Sequence, residues 1–216
     1  MACWDAVSWY EGPLCPACGA RLPTGVQCRC VDRPAHVTSL ACAADYDGPM
    51  RAIIHGFKYA RHQSLAAPLA WRLRAHPHLA LDRIDLVVPV PLHPWRRIVR
   101  GFNQAEHLAR HLERPLLHAL ARWQWTPPQA GLSAPARRRN VRGAIRLAPR
   151  LTANGSRRLR AQVAGARVLV VDDVVTTGET MSACARVLRE AGAREVRAAA
   201  VARTPLAYKP TAYSLR

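Results

Sequence analysis

The 216-residue chain reads as an α/β protein with a parallel-sheet core and a cysteine-rich N-terminal appendage. Three observations predict this. Residues 168–171 are an apolar run and 196–201 read as another strand, and between them Met181, Cys184, Ala185 and Leu188 recur at helical spacing before Gly192. A strand–helix–strand unit this short joins parallel neighbours. Residues 84–90 form another nearly unbroken apolar run, suited to a strand buried on both faces. Five of the seven cysteines fall within residues 1–36, a stretch too short to hold a core without a metal or disulfides.

Residues 38–46 are expected to form the first strand, and Asp47-Gly48-Pro49 is turn chemistry. Residues 50–59 and 65–75 read as helices, the first with Ile53, Ile54 and Phe57 at helical spacing. After the 84–90 strand, residues 91–102 read as a basic loop. Asn103 suits the N-cap of a helix to Glu113, with Pro115 beyond its end. Residues 129–141 read as irregular and 151–160 as a surface linker or turn. Gly178 opens the last helix. The expected division is an appendage over 1–36 and a main domain over 37–216.

Thirty-two Lys and Arg against 14 Asp and Glu give a net charge of +18, and Lys58 and Lys209 are the only lysines. Compositional bias accounts for part of such a surplus. The rest favours polyanions, either phosphate-rich metabolites or nucleic acid, because a guanidinium grips phosphate through two parallel hydrogen bonds. No cationic segment followed by an apolar run opens the chain, and no apolar stretch is long enough to span a membrane. A cytoplasmic protein without membrane insertion is expected, and in that reducing compartment the cysteines are not a disulfide framework.

The densest chemistry lies in 168–180. An apolar strand runs into Asp172 and Asp173, and Val174, Val175, Thr176, Thr177, Gly178, Glu179 and Thr180 then lead into a helix. A helix N-terminus at the carboxyl end of a strand offers N–H groups to an anion. Thr hydroxyls add donors, and Gly178 allows close backbone approach. Two aspartates would repel a bare phosphate. They fit a ligand that also presents hydroxyls or brings Mg²⁺, and a ribose 5-phosphate has both the phosphate and a vicinal diol.

Cys15-Pro16-Ala17-Cys18-Gly19 has the residue types of a zinc-knuckle turn, and Cys28 and Cys30 complete four candidate ligands for a structural Zn²⁺. Cys3 or His36 could replace one of them. Cys42 and Cys184 read as small buried hydrophobes. Lys58, between Phe57 and Tyr59, reads as a base-stacking feature or as a surface lysine with buried aromatic neighbours.

The string 168–180 resembles the phosphoribosyl pyrophosphate (PRPP) signature of type I phosphoribosyltransferases. Val87-Val88-Pro89-Val90-Pro91-Leu92-His93-Pro94, Arg96-Arg97 and Arg100-Gly101-Phe102-Asn103-Gln104 resemble the signature of the competence protein ComF family. So do Phe57-Lys58-Tyr59, the segment from Pro128-Gln129 to Leu132, and Arg137-Arg138-Arg139-Asn140-Val141-Arg142-Gly143. The blocks follow that family's order over nearly the whole chain. The resemblance implies a type I phosphoribosyltransferase (Rossmann-like) domain with a zinc-ribbon-like appendage. It implies that Asp172 and Asp173 hold the ribose hydroxyls, Asp173 assisting as a base, and that residues 174–180 surround the 5-phosphate. Arg96, Arg97 and Arg100 would face the pyrophosphate, with Mg²⁺ arriving on PRPP.

The residues 137–142 would close over the site or contact nucleic acid. The implied biology is DNA uptake, with Mg²⁺-dependent phosphoribosyl transfer to an acceptor. Single-stranded DNA and the helicase or DNA-processing proteins of the competence machinery are the implied partners. The rival readings are a non-catalytic single-stranded DNA-binding factor and a PRPP-sensing regulator.

Overall fold

A computed structural model describes residues 2–22, 28, 30, 33–59, 62–123, 143–149 and 153–205. In chain order the elements are α1 (Ala2–Asp5), β1 (Leu40–Asp45), α2 (Gly48–Tyr59), α3 (Ala66–Arg74), β2 (Leu86–Pro89), α4 (Pro94–Arg100) and α5 (Gln104–Arg110). They continue with β3 (Leu120–Arg122), β4 (Ile145–Leu147), α6 (Ala153–Val163), β5 (Arg167–Val175), α7 (Glu179–Glu190) and β6 (Glu195–Arg203).

The main sheet has the order β1-β6-β5-β2 and is parallel throughout. Its carboxyl ends therefore share one edge, where ligands of open α/β sheets sit. Strand alternation sorts the core into two layers. Val168 and Val170 face Leu159 and Val163 of α6 and Met181 and Leu188 of α7. Leu169 and Val171 face Ile54 and Phe57 of α2, Leu69 and Leu73 of α3 and Leu108 of α5. Each strand is buried on both sides, which is why these runs read as continuously apolar. Cys42 and Cys184 are fully buried. Gly192, at φ +98°, follows the end of α7.

Four expectations change. Residues 91–102 are not a loop throughout, because α4 forms inside them. Pro94 supplies the first helical residue, the His93 ring accepts from the Trp95 N–H at 3.2 Å, and Gly101 closes the helix at φ +79°. Residues 153–160 are not a linker or turn but most of α6, whose Leu159 and Val163 bury one turn apart in the core. The turn-like Asn154-Gly155-Ser156 is overridden by that packing. The acid pair does not end its strand: β5 runs through it to Val175, Asp172 pairing in register with Ala200 and Val174 with Ala202. An antiparallel β3–β4 pair, absent from the sequence reading, lies beside the main sheet. Residues 128–132 and 137–142 lie outside the described residues.

The N-terminal segment is stitched to the sheet. The Leu40 N–H donates to the Ala17 carbonyl at 3.1 Å, and Tyr10 N–H donates to Ala43 at 2.7 Å. The buried Arg203 guanidinium donates to the Cys18 carbonyl. No helix among the described residues is long and apolar enough to cross a membrane.

Candidate functional site

At the carboxyl edge β5 presents Asp172 and Asp173 to opposite faces of the sheet, as strand alternation demands. Asp173 is 5% exposed and forms an ion pair with Lys58 Nζ at 2.9 Å. Lys58 sits in the last turn of α2, so that helix delivers a cation to the strand end. The reading of a surface lysine with buried aromatic neighbours does not hold as stated: Lys58 is a partly buried partner of Asp173, and Tyr59 beside it is 57% exposed.

Asp172 is only partly exposed, on the face of α7 and Arg122. Burial first, and then the charge of Asp173, push its carboxyl up to about 7, while Lys58, the Asp173 N–H and Arg122 pull the other way. That N–H donates to Asp172 Oδ1 at 2.8 Å. The adjacent carboxylates thus have different electrostatics.

Beyond Val175, Thr176 and Thr177 are exposed, and Gly178 caps α7 at φ +75°, ψ 0°, a left-handed conformation that favours glycine. Ser182 donates from both N–H (2.8 Å) and hydroxyl (3.0 Å) to the Gly178 carbonyl, fixing the first turn. Glu179 and Thr180 lie in that turn, partly exposed.

The three arginines of α4 diverge. Arg96 is partly exposed and lies in the electrostatic reach of His93 and Arg122. Arg97 is exposed, 3.8 Å from Glu106. Arg100 lies over the Tyr59 ring, 4.8 Å from its centroid, and donates to Tyr59 Oη at 3.0 Å and Gln104 Oε1 at 3.2 Å. Gln104 in turn donates to the Lys58 carbonyl at 3.5 Å, so Arg100 is tied to the helix end that holds Asp173. Asn103 is an N-cap: its Oδ1 accepts from Ala105 N–H at 3.1 Å while its Nδ2 donates to the Val90 carbonyl at 3.0 Å, locking α5 to the end of β2.

Two functional candidates escaped the sequence reading. Arg122 on β3 is brought beside Asp172 and Arg96, and burial and Arg96 lower its pKa. Glu106 is buried and gathers Arg110 at 2.5 Å together with Arg97 and His118, each at 3.8 Å. Both line a cavity of about 530 Å³ with Pro89, Pro91, Arg97 and Leu120. The spacing of Glu106 and Arg110 was a visible i,i+4 signal, whereas nothing local marked Arg122.

Cys15, Cys18, Cys28 and Cys30 converge, their sulfurs all within 4.8 Å of one another. Cys15–Cys30 is 3.4 Å and Cys18–Cys28 3.3 Å. A tetrahedral zinc with bonds of about 2.3 Å needs sulfur separations of about 3.8 Å, so the four thiols fit a metal such as zinc with small adjustment. Burial pushes Cys18 upward and Cys30 up to about 11. Burial opposes ionisation of Cys15 too, but backbone hydrogen bonds from Cys18 and Ala17 and contacts with Cys30 and Cys18 draw it down to about 7. His36 is exposed and outside the group, and the Cys3 side chain lies outside the described residues.

The phosphoribosyl transferase domain family matches residues 99–215. Over 206 residues the chain is 34% identical to DNA utilization protein YhgH of Escherichia coli strain K12, spanning 88% of this chain and 84% of that protein. It is 30% identical to Competence protein F of Haemophilus influenzae, spanning 88% and 85%. A solved structure of the allosteric regulatory enzyme of purine biosynthesis is 25% identical with a TM-score of 0.38, covering 65% of this chain and 25% of that one. The chain therefore spans about a quarter of that enzyme's length.

Proposed function

The chain belongs to the ComF family of phosphoribosyl transferase domain proteins, and from that premise we propose that it binds PRPP with Mg²⁺ at the carboxyl end of β5 and acts in DNA utilization. The observation that carries this reading is the Asp172-Asp173 pair at the ligand edge of a parallel sheet, followed directly by the glycine-capped start of α7. Asp172 and Asp173 accept from the ribose hydroxyls. Residues Val174, Val175, Thr176, Thr177, Gly178, Glu179 and Thr180 enclose the 5-phosphate with backbone N–H groups and hydroxyls.

Arg96, Arg97 and Arg100 neutralise the pyrophosphate, Arg100 held in place by Tyr59 and Gln104. Lys58 orients Asp173 through their ion pair. Mg²⁺, when bound with PRPP, supplies charge neutralisation on the leaving pyrophosphate, and Asp172 is a carboxyl that such a cation would ionise. The cavity over Glu106 is where a nitrogen acceptor would lie, with that carboxylate to receive its N–H groups. The expected reaction is phosphoribosyl transfer at C1 of the ribose, driven by positioning and leaving-group stabilisation. Residues 1–36 serve as a zinc-held appendage to the domain over 37–216, and the protein works in the cytoplasm.

The test is calorimetric titration of the full chain with PRPP and Mg²⁺, followed by a panel of nitrogen acceptors scored for released pyrophosphate. Saturable binding is expected, and absence of PRPP binding would overturn the reading.

A second reading is single-stranded DNA handling without catalysis, alongside helicase or DNA-processing partners. It is favoured by Tyr59, Trp95 and Trp123, all exposed and each beside an arginine in space or sequence. Aromatic and guanidinium surfaces together suit unpaired bases. Its affinity would fall with salt at a slope of roughly 0.7 per phosphate contacted. Salt-independent binding would remove the electrostatic basis of this reading.

A further inference from the structure

The cysteine segment does not stop at the metal group. Four residues after Cys30, Pro34 is buried. It lies directly on Gly178: a Cβ built on that glycine would stand 2.8 Å from Pro34 Cγ and 3.3 Å from Pro34 Cβ. Gly178 is the residue that starts α7 in the phosphate-loop segment. Pro34 is itself fixed from both sides. The Arg33 N–H donates to the Cys30 carbonyl at 3.1 Å, closing a turn on the last thiol, and the Val37 N–H donates to the Pro34 carbonyl at 3.3 Å. The Thr38 N–H then donates to Val196 at 2.8 Å, just before β1 joins the sheet.

At the other end of the segment the knuckle is docked as closely. A Cβ on Gly19 would stand 2.5 Å from the Leu40 carbonyl oxygen, and the buried Arg203 side chain at the end of β6 donates to the Cys18 carbonyl. Between these anchors the described residues Cys28 and Cys30 bring their sulfurs to those of Cys15 and Cys18, so the four thiols link the knuckle to the stretch that leads to Pro34.

We propose that Pro34 is a positioning residue of the phosphate loop, and that metal bound by Cys15, Cys18, Cys28 and Cys30 holds it on Gly178, so that metal affinity and loop-anion affinity are coupled. A rigid proline ring against the left-handed glycine restricts the loop to the conformation in which α7 begins at Glu179. Without metal the thiols lose their common centre, the Cys30–Arg33 turn loosens and the loop regains conformations that do not hold an anion. The entropy of ordering the loop then falls on anion binding itself. Linkage makes the effect reciprocal: whatever factor zinc adds to anion affinity, the anion adds to zinc affinity. This inference rests on the reading of residues 174–180 as the PRPP phosphate site.

The experiment compares full-length zinc-loaded protein, the same protein after zinc removal with a chelator of negligible Mg²⁺ affinity, and zinc-loaded Pro34→Gly. Each is titrated with Mg²⁺–PRPP, and amide hydrogen exchange is followed over residues 176–182. Zinc removal is expected to raise the Kd for PRPP at least about fivefold and to speed exchange at Ser182. Pro34→Gly is expected to do the same with zinc still bound, and in that variant removing zinc should have little further effect. Saturating PRPP should slow zinc loss to the chelator in the wild type and not in Pro34→Gly.

Equal Kd and equal exchange with and without zinc would overturn the coupling. So would failure of the chain to bind zinc. If the zinc-free chain loses its fold by circular dichroism, the zinc-loaded Pro34→Gly protein decides: unchanged Kd and exchange overturn the role of Pro34. If zinc-loaded wild type binds no PRPP, the reading of the loop fails, and the exchange measurements alone decide the Pro34–Gly178 contact.

Discussion

The two ends of β5 treat charge in opposite ways. At its start, Arg167 meets Asp85 through three hydrogen bonds: Nε to Oδ2 at 3.0 Å, Nη2 to Oδ1 at 2.7 Å and the backbone N–H to Oδ2 at 2.8 Å. The guanidinium and backbone N–H hold the Asp85 carboxyl down at about 2. That pair is complete, solvated and in need of no ligand. At the far end, Asp172 and Asp173 are adjacent on opposite faces of the strand, Asp173 paired with the partly buried Lys58, and burial raises Asp172 to about 7. A strand that solves its electrostatics at one end and leaves them strained at the other places its chemistry at the strained end.

The sharpest way to break this contrast is Asp173→Ala. It removes the partner of Lys58 and, on the proposed function, a carboxylate that receives the ribose. PRPP affinity is expected to fall at least about tenfold, as for loss of a charged hydrogen-bond acceptor, and pyrophosphate release to be lost. Calorimetry and a pyrophosphate assay read this out, and retained binding would place the ribose elsewhere.

Asp172→Asn tests the raised carboxyl. Where both states are protonated, at the acid end, Asp172 contributes nothing. From the ordinary carboxyl range up to about 7, the unfolded chain releases a proton that the folded protein keeps, so this group makes stability fall as pH rises. Above 7 the folded protein carries the buried charge and the whole cost is present. Asparagine removes that cost. The variant is expected to melt several degrees higher than wild type at pH 8, about 4 °C or more, with the difference shrinking toward pH 4. Thermal melts across that range check the sign.

Arg167→Ala is the smallest change. The pair it breaks is exposed, so Tm should move by roughly 2 °C or less and PRPP affinity not at all. A large loss of PRPP binding in this variant would erase the distinction between the two ends.

Much of this arrangement was legible in the sequence because the relevant signals are local. The apolar run at 168–171 and the mainly apolar 196–201 marked buried parallel strands, Gly178 marked the start of α7, and Asn103 marked a cap that the structure places on Ala105 and Val90. The four cysteines were legible as a group through their residue types. Where local signals conflicted, packing decided. The turn-like start of α6 yielded to Leu159 and Val163, and the arginines of residues 91–102 turned out to ride a helix capped by His93 and Gly101.

By itself the amino-acid sequence determined the fold class, the acid pair with its glycine-capped helix, and the thiol set, because strand burial, turn conformation and ligand type are properties of short stretches. Only the tertiary structure decided that Asp172 and Asp173 have unlike electrostatics, with Lys58 paired to one and Arg122 beside the other. It alone decided that Tyr59 and Gln104 tie Arg100 to the end of α2 that carries Lys58, that Arg122 comes to Asp172 from a separate strand pair, and that Pro34 of the cysteine segment lies on Gly178. Each of these joins residues far apart in the chain, and the energy of such a contact depends on distance and burial, which no local pattern encodes.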